Sequence, residues 1–150
     1  MAFNFRLETL LRIRERLKEA AEMKFASLVL RRDKVQRALE RERTKLKGAR
    51  TDMERQMDEG IMSDEFQFQW LQISHLEKRC RELASDLERA EMDLADGRSE
   101  LTRRYIEKEL VESLKERDLR KYLQEVDRRL QKDLDDMASL RYGQQRNMSR

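Results

Sequence analysis

His75 and Cys80 are the sole histidine and cysteine of the chain, so they are the natural starting point for nucleophilic or metal chemistry. They stand five residues apart on what reads as one helix, a spacing that points the two side chains in different directions. A thiol needs its base within hydrogen-bond reach, so no Cys–His pair is assembled by this spacing. His75 lies one step off an apolar stripe, beside Leu76, and reads as a solvated surface residue. Cys80 reads as a small residue on that stripe. The four glycines are isolated from one another and form no phosphate-cradling loop. Asp and Glu are abundant but sit on helical faces, where their ordinary work is solvation and ion pairing. No catalytic, cofactor-binding or metal-ligating set emerges, and the chain reads as non-enzymatic.

What remains is contact chemistry. In LRKYLQEVDRRLQKDLDDMASL the apolar residues fall at Leu119, Leu123, Val126, Leu130, Leu134, Met137 and Leu140, with Asp133 the alternative to Leu134 in strict spacing. Steps of four and three are the seam of a coiled coil, and a seam must face something. Arg117, Arg120, Lys121, Arg128 and Arg129 surround it. A second apolar group, Phe66, Phe68 and Trp70, follows the one interruption in the helical pattern. It reads first as a plug closing a hairpin end, with a partner contact as the alternative.

The elements that must carry these groups follow from composition. Charged residues make up 43% of the 150, aromatics 6%, and there is no proline, too little apolar surface for a thick globular core. Leu, Ile, Val, Met and Ala nevertheless recur at helical spacing almost throughout, in a background of strong helix formers. The expected fold is therefore all-α, a long antiparallel two-helix coiled coil forming one domain. MDEGIMSDEF breaks the pattern: Gly60 can close a helix in the left-handed conformation, and Ser63 or Asp64 can cap the next. Helix one is expected over about 4–58, the turn over about 59–63, helix two over about 64–143, and a frayed tail over 144–150. A turn centred near Ile61 brings Leu46 opposite Leu76, Leu39 opposite Leu83, Phe25 opposite Gly97 and Leu17 opposite Tyr105. A one-residue phase shift is expected between Tyr105 and Leu114, bringing Leu11 opposite Leu110 and Leu7 opposite Leu114.

Charge supports the pairing. Residues 1–50 carry 15 Lys/Arg against 7 Asp/Glu, and residues 51–100 carry 6 against 14. Segments of opposite sign suit each other better than they suit a polyanion. Clusters such as Arg12-Ile13-Arg14-Glu15-Arg16 are interleaved with acids and poor in aromatics, so nucleic-acid binding is not expected. The lone cysteine points to a reducing compartment. No apolar run approaches a membrane span, and the basic, amphipathic MAFNFRLETLLRIRERLKEA does not read as a signal peptide. At about 1.5 Å per residue, helix one is about 80 Å long and helix two about 120 Å. Helix one therefore runs out near Leu114 to Leu119, and helix two continues as a C-terminal overhang whose stripe lacks an intramolecular partner beyond Phe3 and Phe5 at its root.

Three stretches resemble the FliJ family of bacterial flagellar export proteins: FNFRLETLLRIRE, DEGIMSDEF, and LVESLKERDLRKYLQEVDRRLQKDLDDMASLR with its QKDLDDMA end. The resemblance implies a helical hairpin similar to the rotor stalk of rotary ATPases, acting as the central stalk of the flagellar type III export ATPase ring. It implies contact with the cytoplasmic domain of the export gate, with Leu76 matching the gate-facing surface and the polar Glu42, Lys45 and Gln72 departing from it. It further implies a chaperone-escort role with export chaperones as partners, and a cytoplasmic location peripheral to the inner membrane at the flagellar base; no cofactor is expected. On this reading Leu119, Leu123, Val126, Leu130 and Met137 supply apolar contact to the ring, and the five basic residues supply orientation. The rivals are the equivalent stalk of a virulence-type secretion system, a homo-oligomer in which two overhangs pair, and a basic hairpin binding RNA or the ribosome.

Overall fold

The computed structural model describes residues 2–148. It consists of two helices, α1 (Glu8–Glu59) and α2 (Ser63–Met148), packed as an antiparallel helical hairpin, with no strand among the described residues. No helix among them is long and apolar enough to cross a membrane. The turn is built on Gly60, which takes φ 93°, a conformation that glycine alone adopts without a Cβ penalty. Its N–H donates to the Met57 carbonyl at 3.4 Å, closing α1. The Met62 carbonyl accepts from the Phe66 N–H at 3.0 Å, so Met62 occupies the capping position. Ser63 is already helical, and Asp64 and Glu65 fall in the first turn of α2, where carboxylates complement the positive end of the helix dipole.

The described residues divide into two units, 18–104 and a second made of 2–17 with 105–148. In the first, the buried or half-buried face of α2 runs through Ile73, Leu76, Cys80, Leu83, Leu87, Ala90, Leu94, Gly97 and Leu101, alternating steps of three and four. Ala21, Leu39 and Met53 are its most buried partners on α1, Leu39 being 2% exposed. The expected meeting of Phe25 with Gly97 is present: a Cβ built on Gly97 would lie 3.8 Å from the Phe25 ring and 2.6 Å from a methyl of Leu28. Large side chains fit there because residue 97 has none. Cross-helix ion pairs follow the opposite charges of the two segments: Lys24–Glu100 at 3.6 Å, Arg31–Asp93 at 3.4 Å and Arg50–Glu77. Near the turn, the Gln69 amide donates to the Gln56 carbonyl oxygen.

The second unit departs from the expected pairing. Leu110 is 62% exposed and Leu114 is also exposed, whereas Val111 is 6% exposed and forms a buried cluster with Phe5 and Leu11. No phase shift occurs between Tyr105 and Leu114: Lys108, Val111 and Lys115 continue the four–three spacing, and Leu17 and Tyr105 are exposed. The physical reason is that long cationic side chains can bury their methylene stems along a seam while their charged ends find carboxylates at its edge. Lys108 pairs with Glu112 at 3.1 Å and reaches Glu15 at 4.0 Å, Lys115 pairs with Glu8 at 2.8 Å, and Arg14 donates to Glu107 at 2.6 Å. The hydrogen bond that Lys108 donates to Glu112, helped by the nearby charges of Glu112 and Glu15, outweighs burial, which acts the other way, and holds the Lys108 ammonium above the ordinary lysine range.

Two ends differ from expectation. α1 begins at Glu8 rather than near residue 4, its first N–H donating to the Phe5 carbonyl at 3.1 Å. Leaving the helix there lets Phe5 fold onto Leu11 and Val111 and lets Phe3 meet the Tyr122 ring, with centroids 5.6 Å apart. At the other end, residues 144–148 of the expected frayed tail are helical, and 149–150 lie outside the described residues.

Candidate partner-binding surface

The overhang is built by one arithmetic fact: α1 has 52 residues and α2 has 86. Among the described residues the last cross-helix ion pair is Lys115–Glu8, and Phe3 of the non-helical N-terminal segment meets Tyr122. Beyond it Val126 is half-buried, and every residue from Asp127 to Arg146 is exposed. The stripe expected to face a partner is bare: Leu123 is 51% and Leu130 56% exposed, and Leu119, Leu134, Met137 and Leu140 are exposed with them. Side chains of this size each gain about 1.5–3 kcal/mol on full burial, so the stripe is a large unspent source of association energy.

The basic residues beside it are equally open. Arg120 makes a 3.9 Å pair with Glu116 in which both side chains are about three-quarters exposed, a pair worth little in water. Arg117, Lys121, Arg128 and Arg129 are exposed. Acids are interleaved, as in the Gln131–Asp135 hydrogen bond of 3.1 Å one turn apart. Such a surface has apolar contact to give and charges to set its orientation.

Leu76 stands elsewhere. It is half-buried on the interhelical face between Ile73 and Cys80, with His75 and Gln72 exposed beside it. Glu42 is half-buried near it, and its carboxyl is held below the usual range, first by the Lys45 hydrogen bond of 2.8 Å and then by the cationic charges around it. Leu76 thus presents only part of its side chain to any partner. Cys80 is half-buried on the same stripe, and among the described residues no cluster of His, Cys, Asp and Glu could hold a metal ion.

The aromatic group after the turn is not a plug. Phe66 is half-buried and stacks on Trp70, with centroids 6.5 Å apart and planes 18° from parallel. Trp70 is 57% exposed, and Phe68, Leu71, Met62 and Met57 are exposed too. Aromatic count alone favoured burial, but two helices leave their outer faces uncovered. The signal that distinguishes the two outcomes is phase: Ile73 and Gln69 carry the seam, Trp70 lies one residue off it and Leu71 two.

Comparison with known proteins adds the following. Residues 3–147 match the family model described as "Flagellar FliJ protein". No curated protein matches the chain. Among solved structures, the chain is similar to a putative YscO homolog, CT670, from Chlamydia trachomatis. The TM-score is 0.71 at 21% identity, covering 97% of this chain and 99% of that one. At that identity the likeness is one of fold.

Proposed function

Because this chain belongs to the flagellar FliJ protein family, we propose that it is a non-enzymatic stalk protein of the bacterial flagellar type III export apparatus. The observation that carries the reading is the bare stripe on a helix that outruns its partner. A free helix with an unburied stripe is marginal in water and gains both order and apolar burial by entering a cavity lined with protein. The export ATPase ring is that cavity. Leu119, Leu123, Val126, Leu130 and Met137 face its wall, and Arg117, Arg120, Lys121, Arg128 and Arg129 fix the orientation of entry. The cytoplasmic domain of the export gate is a second partner, contacted around the exposed part of Leu76, and export chaperones are a third. The protein then works in the cytoplasm, at the inner face of the membrane beneath the flagellum.

The test is ATP hydrolysis by the cognate flagellar export ATPase, with and without this protein, beside the Leu123→Glu/Leu130→Glu variant. Stimulation and binding by the native chain, both lost in the variant while its helix content is kept, are the expected results. Equal affinity of the two chains for the ATPase would sink the proposal. The fold shared with the chlamydial protein supports one second reading, the equivalent stalk of a virulence-type secretion system, which predicts stimulation of that system's ATPase instead.

A further inference from the structure

The turn and the first part of α2 have a composition found nowhere else in the chain. Lys and Arg number 34 in 150 residues, yet none occurs between Arg55 and Lys78, the longest interval without one. Within residues 52–65 there are six carboxylates, Asp52, Glu54, Asp58, Glu59, Asp64 and Glu65, against the single Arg55. All six are exposed. Next to them in sequence, half-buried Phe66 and exposed Trp70 and Leu71 line one shallow groove with Gln67, and Glu59, Asp64 and Glu65 line a second with exposed Phe68.

Two aromatics elsewhere in the chain, the half-buried Phe25 and the buried Phe5, are covered by a cation of their own chain. Phe25 lies under Arg98 and Phe5 under Lys115 in this way, each with the cation 6.0 Å from the ring centroid. Trp70 and Phe68 have no cationic residue within the same stretch to play that part. They combine an aromatic face, which attracts cations, with a rim of uncompensated negative charge, which attracts them further. From this complementarity we infer that the hairpin end is a docking surface for a cationic amphipathic helix of another protein. Apolar side chains of that helix, spaced three and four apart, lie on Phe66, Trp70 and Leu71, and its Lys and Arg residues meet Asp58, Glu59, Asp64 and Glu65. The same charge repels anionic membranes and nucleic acids. The surface uses none of the overhang residues, so it goes beyond the ring-binding role and stands or falls separately from it.

Trp70 is the single tryptophan, so its emission reports this groove without a label. The full chain is titrated with a synthetic amphipathic helix of Leu and Lys, with a peptide of the same composition scrambled to destroy its apolar face, and with the Leu/Glu counterpart of the first. Expected is a saturable blue shift with the Leu/Lys helix and at least about tenfold weaker binding of both other peptides. Two variants that keep Trp70, Phe68→Ser/Leu71→Ser and Asp64→Asn/Glu65→Gln, each weaken the interaction at least about tenfold. These side chains are exposed, so circular dichroism stays that of the native chain. Equal binding of the Leu/Lys helix by the native chain and both variants overturns the inference. So does a shift produced by anionic vesicles, or one produced by raising the protein concentration alone, which would assign the groove to a membrane or to a second copy.

Discussion

Individual side chains decide how closely the helices meet and what holds them. At Gly97 the absence of a side chain admits Phe25 and Leu28 together, so Gly97→Leu overpacks the seam and is expected to cost about 1–3 kcal/mol by urea denaturation. Gly48 is the internal control: it is exposed, helical and has nothing within 4 Å of a built Cβ. Gly48→Ala should therefore raise stability by up to about 1 kcal/mol through helix propensity alone. Lys108 supplies a pH dependence whose sign follows from its raised value. Its contribution is full below the ordinary lysine value of 10.5 and is lost as pH rises through the higher value in the folded chain. Alkaline titration followed by circular dichroism should show this loss in the native chain and a smaller one in Lys108→Met. The meeting of Phe25 with Gly97 was legible in the sequence because a large and a small residue fell at matching positions of two strict stripes. Val111 was not legible, because Leu110 and Leu114 are the more apolar residues and nothing in hydropathy marks Lys108 and Lys115 as seam positions.

The two helices were legible as elements because their stripes are long and one glycine separates them. Their ends were read less well, and each miss has a local cause. The start of α1 moved because Phe5 gains more by folding onto Leu11 and Val111 than by continuing the helix. The aromatic group beyond the turn stays open rather than plugging the end, because a hairpin of two helices has only one inner face and Trp70 and Phe68 lie off it. The overhang was read from helix lengths, and the structure leaves its stripe bare as that arithmetic requires. Without tertiary packing, a helix end relies on propensity, and propensity sustains only marginal order. Backbone amides from Asp127 onward should therefore exchange hydrogen orders of magnitude faster than those of residues 87–101, and should slow on addition of the export ATPase. Equal protection of both segments in the free chain would show that the overhang has already found a partner, and a second copy would be the first to look for.

Across the molecule, the two units draw on different forces. Residues 18–104 are held by an apolar seam with ion pairs at its margins, while 2–17 and 105–148 rely on a small aromatic cluster and on cations lying within the seam. A fragment of residues 18–104 is expected to fold by itself as a helical hairpin and to melt cooperatively, whereas high salt should weaken the pairing of residues 2–17 with 105–126 more than it weakens the fragment. The division was not legible beforehand, since the apolar count hardly changes along α2 and only the charge states of its inward residues do. The cation-free interval around the turn has one more consequence, for proteolysis. Trypsin needs Lys or Arg, so after complete digestion Gln56–Lys78 must persist as a single piece carrying Phe66, Phe68 and Trp70, while Arg128, Arg129 and Lys132 of the overhang are open to cleavage at once. One digestion time course thus dismantles the chain from its bare stripe while sparing the turn. A bound ring would be seen as protection of the first sites cut, with the long peptide as the unchanging reference.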